Sequence, residues 1–422
     1  MPELALKRKS RVFLFKDKSL AGKSLAKSKP RFSLVIRARL KEFLPLIHRG
    51  NGFARTSAVC DVACAGKILP TPIFFPHRNR MLFSAKSKGF FVEQNEHATL
   101  IARTSAPAGQ MVVEELRECP PGDSSALTAA LRELQQKKSG GYVHATCGVC
   151  PTNRLVRRVA LDLKRVKEPE YLNEVVSSQF RVEPNRFTLA LLNASDGVDY
   201  DFSKAAQKEV IICGLPSDEV IATQDALLAS GIYPDQLELT TVGMLGALAD
   251  YLAFTKSKTP VLVLELGAET THSFIVTAGG LDTARPIPQG LEAMIPVVQK
   301  ELGLRDEESA RKLFYSNTFD FTGMGGALIK KLVKELQSSI GFYEVQTGQS
   351  IGQVLCTQVP PKMNWVDGAI AGLLGVTGLQ PDLNPWLQAR GITLSEEAAV
   401  AGQDLRWLGL LGLIVHHNNA SA

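Results

Sequence analysis

The sequence predicts an α/β protein of two lobes carried behind a basic N-terminal extension, and three observations predict it. The chain has 422 residues, too many for one ordinary domain and enough for two or three. From residue 89 onward, apolar runs of strand length alternate with stretches of helical periodicity. A unit made of an apolar strand, a terminal acid, a short polar turn and a return strand occurs twice, about 170 residues apart.

The elements follow in order. Residues 89–103 read as a strand, a tight turn and a returning strand, and residues 110–119 as a third, giving an antiparallel meander. Residues 124–138 predict a helix, with Ser124 or Ser125 as cap and Leu127, Leu131 and Leu134 on one face. Gly140 and Gly141 end it, and 142–150 is a strand. Strands are expected at 154–163, 188–193 and 209–215, and helices at 169–181 and 217–230. A short strand at 237–239 leads to a helix at 242–254. After the linker 256–260 come a strand at 261–266, apolar enough for burial on both faces, and return strands at 272–277 and 281–287. Helices are expected at 291–302 (with Pro296 inside), 307–315 and 327–346, then a strand at 353–357. A helix at 366–374, turns over 375–385 and an apolar helix over 396–415 complete the chain.

The composition is that of a globular protein: 45% hydrophobic and 21% charged residues can fill real cores. The longest apolar stretches, such as 408–415, fall short of the ~20 residues of a membrane-spanning helix. Any contact with a membrane is therefore expected to run through a partner or a surface patch. The basic N-terminus has no apolar core followed by a cleavage site, so no secretory signal is expected. Seven cysteines, an odd and scattered set, point to a reducing compartment rather than a disulfide framework. Cys147 and Cys150 have Cys-x-x-Cys spacing, but no second pair matches it. A structural zinc site takes four ligands, so a buried pair on a strand is the better reading.

Charge is divided unevenly. Residues 1–80 hold 9 Lys and 9 Arg against 2 Asp and 2 Glu, whereas the whole chain is only +6, so the body is acidic. Residues 1–30 are Lys/Ser-rich and non-periodic and are expected to be disordered. Short apolar runs follow at 32–36 and 43–47 without a consistent pattern. Contact with nucleic acid or anionic lipid is one use for such a segment. Two plainer readings outweigh it: a segment with no fold of its own, or a natural start at Met81. Nucleic acid is not the expected partner.

The candidate chemistry lies in the repeated unit. The first copy reads Phe91-Val92-Glu93-Gln94-Asn95-Glu96-His97-Ala98-Thr99, and the second Val263-Leu264-Glu265-Leu266-Gly267-Ala268-Glu269-Thr270-Thr271. A tight turn between strands aims backbone N–H groups at a phosphate, hydroxyl side chains add donors, and an acid can hold Mg²⁺. Two facing copies would clamp a nucleotide between lobes. Gly323-Met324-Gly325-Gly326 has no Lys-Ser/Thr after it and reads as a flexible turn. His416 and His417 do not make a metal site by themselves, and no catalytic nucleophile can be named.

The segments VLVLELGAETTHSFIVTAGGLDTARPIPQG, EESARKLF, LIKKLVKELQSSIGFYEVQTG and EVIICGLPSDEVIATQDALLASGIYPDQLEL, in that order and spacing, resemble the actin-like ATPase superfamily. Within it they resemble the PilM-type proteins of type IV pilus assembly, in the branch shared with FtsA. The resemblance covers about residues 89–415. It implies a duplicated, ribonuclease H-like α/β fold. The first lobe would span 81–258 with an inserted α+β subdomain at about 154–238. The second lobe would span 259–395, and a C-terminal helix over 396–422 would return to the first.

The resemblance also implies where a nucleotide would sit: on Glu93, Asn95, Glu265, Gly267, Ala268, Thr270, Thr271 and Thr357, with Glu93 and Glu265 toward the metal if Mg-ATP binds. The family's loops start with Asp, where this chain has Glu93 and Glu265. Glu96 places a negative charge where a phosphate belongs, and Glu269 adds another. The family's Gly-rich adenosine loop is replaced by Thr357-Gln358-Val359-Pro360-Pro361, and two prolines remove N–H donors. The expectation is a pseudo-ATPase with no cofactor, a cytoplasmic scaffold held peripherally at the inner membrane. It would dock the cytoplasmic segment of a PilN-like single-span protein in a pilus or type II secretion-like platform, in a groove beside the inserted subdomain. The strand 154–163 and the helix 169–181 are the places to look. Pilus motor or platform proteins and self-association are further partner expectations. The alternative is an active ATPase whose nucleotide state regulates assembly or polymerisation.

Overall fold

A computed structural model describes residues 35–36 (by backbone alone), 89–135, 141–168, 170–195, 197–203, 207–316, 318–360, 363 and 365–421. The expectations for the basic tail and for a start at Met81 otherwise lie outside the described residues.

Two sheets share one plan. The first runs β1 (Val35–Ile36), β9 (Ile232–Leu239), β5 (Val143–Val149), β2 (Gly89–Gln94), β3 (Thr99–Ser105), β4 (Met111–Cys119), β15 (Ile392–Leu394). The second runs β12 (Gly280–Ile287), β11 (Thr271–Thr277), β10 (Val261–Leu266), β13 (Gln353–Thr357), β14 (Thr377–Gly378). In each, three strands make an antiparallel meander, and the next two add in parallel beside the first strand of that meander. The internal duplication expected from the two hairpins is therefore a duplication of whole sheets. A third, antiparallel sheet of β6 (Leu155–Ala160), β8 (Glu209–Pro216) and β7 (Phe187–Asn193) is inserted after β5.

Strand β10 shows why its sequence is apolar apart from the acid near its end. Val261 and Val263 join the core around the first sheet, while Leu262, Leu264 and Leu266 join a separate core on the opposite face. A strand covered on both faces cannot alternate with polar residues. Helix α4 (Thr240–Phe254) is buried almost all round for a related reason. It packs against helix α11 (Leu408–Ser421), β9 and the β11–β12 face of the second sheet. At its crossing with α11, a Cβ on Gly412 would lie 2.9 Å from the carbonyl oxygen of Gly243, so only glycine permits that approach.

Several boundaries move, each for a local reason. Helix α1 (Ser124–Leu134) is capped by Asp123, whose Oδ1 accepts from the amides of Ser125 and Ala126, rather than by a serine. Strand β9 is longer than its predicted 237–239. It tolerates Pro234 because its ladder with β5 shifts register beside that residue. The expected helix 291–302 divides at Pro296 into a 3₁₀ turn, Leu291–Met294, and helix α5 (Ile295–Glu301), with the proline in the first turn. The expected helix 327–346 is a short helix, Gly325–Leu328, followed by a long one, Lys330–Thr347. Part of the predicted turn region 375–385 carries β14, and a further helix spans Asn384–Ala389.

The C-terminal region also differs. A continuous helix from 396 does not form: residues 399–402 and 405–407 are 3₁₀ turns, and Asp404 caps the second through the amide of Arg406. Helix α11 starts only at Leu408. β15 pairs with β4, so the chain is back on the first sheet by Ile392, ahead of the expected boundary at 396. β9 belongs to the first sheet, so the inserted sheet ends at β8 and not at 238.

Candidate functional site

The two hairpins meet where β2 and β10 end. In the first, Asn95 organises the turn: its Oδ1 accepts from the amides of His97 and Ala98 at 2.9 Å each, and its Nδ2 donates to Glu93 Oε1 at 3.2 Å. In the second, the amide of Gly267 donates to the carbonyl of Thr270. The carbonyls of Gly267 and Ala268 accept from Leu291 and Glu292 at the start of the 3₁₀ turn. The copies thus have the expected strand–acid–turn–strand form, and both acids, Glu93 and Glu265, are buried.

The surroundings of these acids are protein. Arg154, just before β6, donates from Nη2 to Glu265 Oε2 at 2.5 Å, with side chains 3% and 1% exposed. Thr241, at the start of α4, donates to the Glu265 carboxylate at 2.9 Å, and Gln358 Nε2 donates to Oε1 at 3.3 Å. Arg154 Nη2 also lies 3.2 Å from His272 Nδ1; a guanidinium only donates, so that imidazole nitrogen accepts. Burial, with Arg154 and Arg157 adding to it, drives the His272 imidazole down to about 3, which keeps the ring neutral. Glu93 differs. Burial is the main reason its carboxyl is pushed up to about 7; the bond from Asn95 opposes this, the Glu265 charge adds to it, and the Leu410 amide opposes it. Its Oε2 has no bonded partner and faces Gly409, where a Cβ would come within 2.5 Å.

The loop residues close on each other. Glu96 reaches across from the first hairpin, and its Oε2 accepts the Ala268 amide of the second at 2.9 Å. Its Oε1 accepts from the Thr152 hydroxyl at 2.7 Å. His97 Nε2 donates to the carbonyl of Leu266 at 3.2 Å. The Thr271 hydroxyl is used on the carbonyl of Gln289 at 2.6 Å, and that of Thr357 faces the carbonyl of Leu264 at 3.5 Å. Thr270 is half-buried beside the turn. Glu269, expected to intrude on a phosphate, is exposed instead. Gln358, in the segment expected to replace a glycine-rich loop, holds a left-handed φ of 58°. Of the two prolines, Pro360 accepts from the Met363 amide and Pro361 lies outside the described residues.

Between the acids and Gln358 the cleft retains a cavity of about 30 Å³, lined among others by Glu93, Asn95, His97, Glu265, Thr357 and Val359. That is room for roughly one water, against the ~300–1,000 Å³ of a ligand pocket. The sequence-selected residues Glu93, Asn95, Glu265, Gly267, Ala268, Thr270, Thr271 and Thr357 are brought together, but their arrangement does not fit a magnesium nucleotide. A guanidinium already occupies one acid, and a carboxylate already occupies the loop amide. Sequence reasoning missed Arg154, Thr241, His272 and Gln358. Nothing in their spacing places them beside Glu265; the fold brings them from 24 to 111 positions away in sequence or across a hairpin. Among the described residues no group of His, Cys, Asp or Glu is arranged to hold a metal ion. Cys147 and Cys150 are buried free thiols, and His417 lies in α11 with its ring edge-on to Phe91. Gly325 of the glycine run packs closely on Trp365.

A second, open depression of about 430 Å³ lies on the inserted subdomain. It is lined by Ala160, Leu161, Asp162, Leu163, Tyr171 and Lys208, between the end of β6 and helix α2 (Tyr171–Phe180).

No family model matches the chain, and no curated protein matches it. Among solved structures the chain is similar to the PilM-PilN type IV pilus biogenesis complex, at 16% identity over 79% of this chain and 98% of that one, with a TM-score of 0.55. A Bacteroides thetaiotaomicron protein with actin-like ATPase fold and unknown function aligns at 9% identity over 78% and 98% of the two chains, TM-score 0.38. The cytoplasmic domain of EpsL, an inner membrane component of the type II secretion system of Vibrio cholerae, aligns at 9% identity over 78% and 95%, TM-score 0.36. The repeated strand plan and the first of these likenesses establish the fold: a mixed α/β protein of actin-like architecture. None of the helices among the described residues is long and apolar enough to cross a membrane.

Proposed function

We propose that this chain is a non-hydrolysing, actin-like scaffold of a pilus or type II secretion-like assembly, docking the cytoplasmic segment of a PilN-like inner-membrane protein. One observation carries the proposal: the interlobe cleft is filled by the chain's own side chains, with Arg154 on Glu265 and about 30 Å³ left between the hairpins. A fold of this kind with its nucleotide cleft filled still offers surfaces, and fold alone does not dictate chemistry. Support for the partner class comes from the solved PilM-PilN complex, whose chain aligns with most of this one.

The docking place we assign is the depression between β6 and α2, where apolar Leu161, Leu163 and Tyr171 sit beside the cationic Lys208. An extended peptide with apolar anchors and an acidic residue suits such a surface. Calorimetric titration of Mg-ATP tests the first half: no heat at millimolar nucleotide is expected from the folded protein, and micromolar binding would overturn it. A labelled peptide copying the cytoplasmic segment of a PilN-like protein tests the second. The peptide is expected to bind, and Leu163→Glu to abolish binding without lowering the melting temperature. Binding that is indifferent to this substitution would move the site elsewhere.

A further inference from the structure

Several of the polar contacts in the cleft join one lobe to the other. Glu96 comes from the β2–β3 turn and bonds the β10–β11 turn at Ala268. Arg154, entering the inserted sheet from β5, bonds Glu265 and His272 of the second sheet. His97 bonds the carbonyl of Leu266, and Gln358 after β13 donates to the thiol of Cys150 after β5.

The signs of the charges are informative. On the second hairpin a backbone amide faces an anion, the Glu96 carboxylate, and an acid faces a cation, the Arg154 guanidinium. An anion on a turn amide together with a cation on the neighbouring acid is the charge pattern that a phosphate and its divalent metal would present. Gly267 gives the carboxylate its approach: a Cβ there would lie 3.3 Å from both Glu96 oxygens. Thr152 holds the other Glu96 oxygen, so the group is positioned and not merely nearby.

We propose that Glu96 and Arg154 are a ligand surrogate built into the chain, Glu96 standing for the phosphate and Arg154 for the metal, which holds the two hairpins closed with no small molecule. This rests on the reading of a nucleotide-free scaffold and adds its regulation: the platform is presented permanently in the closed arrangement. The two hairpins thus have a fixed protein contact where a bound ligand would bridge them, so the docking depression on the inserted subdomain keeps one position relative to the second sheet.

The thiol of Cys150 reports on the lock. It is buried in the cleft and bonded to Thr241 and Gln358, and burial pushes it up to about 12, so it is unreactive while the cleft is closed. In the full chain, Glu96→Ala is expected to raise the labelling rate of Cys150 by an excluded-size thiol reagent about tenfold, resolved by peptide mass mapping. Cys213, buried in the inserted sheet, is expected to label at its native rate. Inorganic phosphate is expected to slow Cys150 labelling again in Glu96→Ala by taking the vacated amide, and to leave the native protein unaffected. Glu96→Gln, which keeps an acceptor without the charge, is expected to fall between the two. An unchanged Cys150 rate, a parallel rise at Cys213 or an absence of phosphate rescue overturns the proposal. None of these readings involves nucleotide or the peptide partner, so the lock can fail while the docking reading stands, and the reverse.

Discussion

The guanidinium of Arg154 and the carboxylate of Glu265 form a buried pair, 2.5 Å apart and 111 positions distant in sequence, at the junction of three structural units. Arg154 stands just before the inserted sheet, Glu265 is near the end of the first strand of the second sheet, and Thr241, which shares the carboxylate, lies in the first turn of the helix between the two main sheets. A buried pair adds little by itself, because desolvation offsets the attraction, yet losing one partner leaves a naked charge.

Arg154→Met should therefore cost about 3–5 kcal/mol of stability, while Arg154→Met combined with Glu265→Gln should recover most of it. Urea unfolding of the single and double variants gives the coupling directly. A double variant as unstable as Arg154→Met alone would show that packing, and not the unpaired acid, sets the cost.

Two neighbouring groups should tilt the pH dependence of stability in opposite directions. Glu93 is raised from 4.5 to about 7 in the fold, so the folded state holds its proton more tightly. Its cost is absent below pH 4.5 and complete above 7, on the order of 3 kcal/mol. His272 is lowered from 6.5 to about 3, so the folded state resists protonation, and stability is lost as pH falls through that window. The slopes oppose each other between pH 4.5 and 6.5. Glu93→Gln should be more stable than the native chain at pH 8 and equal to it near pH 4. It should also uncover a decline below pH 6.5 that the native chain conceals. Melting temperatures across this range check both signs.

Gln358 combines a left-handed backbone with a useful side chain. Gln358→Ala loses the bond to Glu265 and keeps the strain, whereas Gln358→Gly loses the bond and relieves the strain. The glycine variant should exceed the alanine variant by about 1 kcal/mol. Equal stabilities in denaturant titration would mean that the φ of 58° carries no cost here.

Asp250 on α4 accepts from the indole of Trp386 at 3.0 Å and from two nitrogens of Arg390, both in the segment leading to β15. Asp250→Ala should cost about 3–5 kcal/mol, because it leaves a mostly buried guanidinium unpaired. Hydrogen exchange should locate the loss in residues 384–394 before the rest of the first sheet. Uniform exchange would make the contact part of the global core.

The elements legible in the sequence are those that package their own signal. Strand β13 at Gln353–Thr357 coincides with its expected range, and the hairpins at Glu93 and Glu265 were visible as a repeated acid after an apolar run. The cap at Asp123 and the turns before Leu408 were missed because nearby serines and a continuous apolar pattern compete with them locally. β14 and β15 are two and three residues long, too short to show a period of two. In the site, the sequence marked Glu96 as incompatible with a phosphate, and the carboxylate sits on the turn amide. Arg154 was invisible as a site residue because a single arginine at a strand's start looks like any exposed one until the second sheet is in place.

The second sheet and its helices form one excursion out of the first lobe. The chain leaves through the short linker after α4 and comes back after β14, where Leu379 still bonds Val354 and Leu383 already bonds Gly402. These two crossings are not its only hold, because α4 packs on β11 and β12, and Val261, Val263 and Leu355 share the core around the first sheet. Moving the second sheet against the first would therefore have to shear a continuous apolar core as well as break the polar contacts above it. Glu96 across the turns and the buried Arg154 beneath that core's polar edge act together as a latch, one fastening the backbone of the second hairpin and the other its acid.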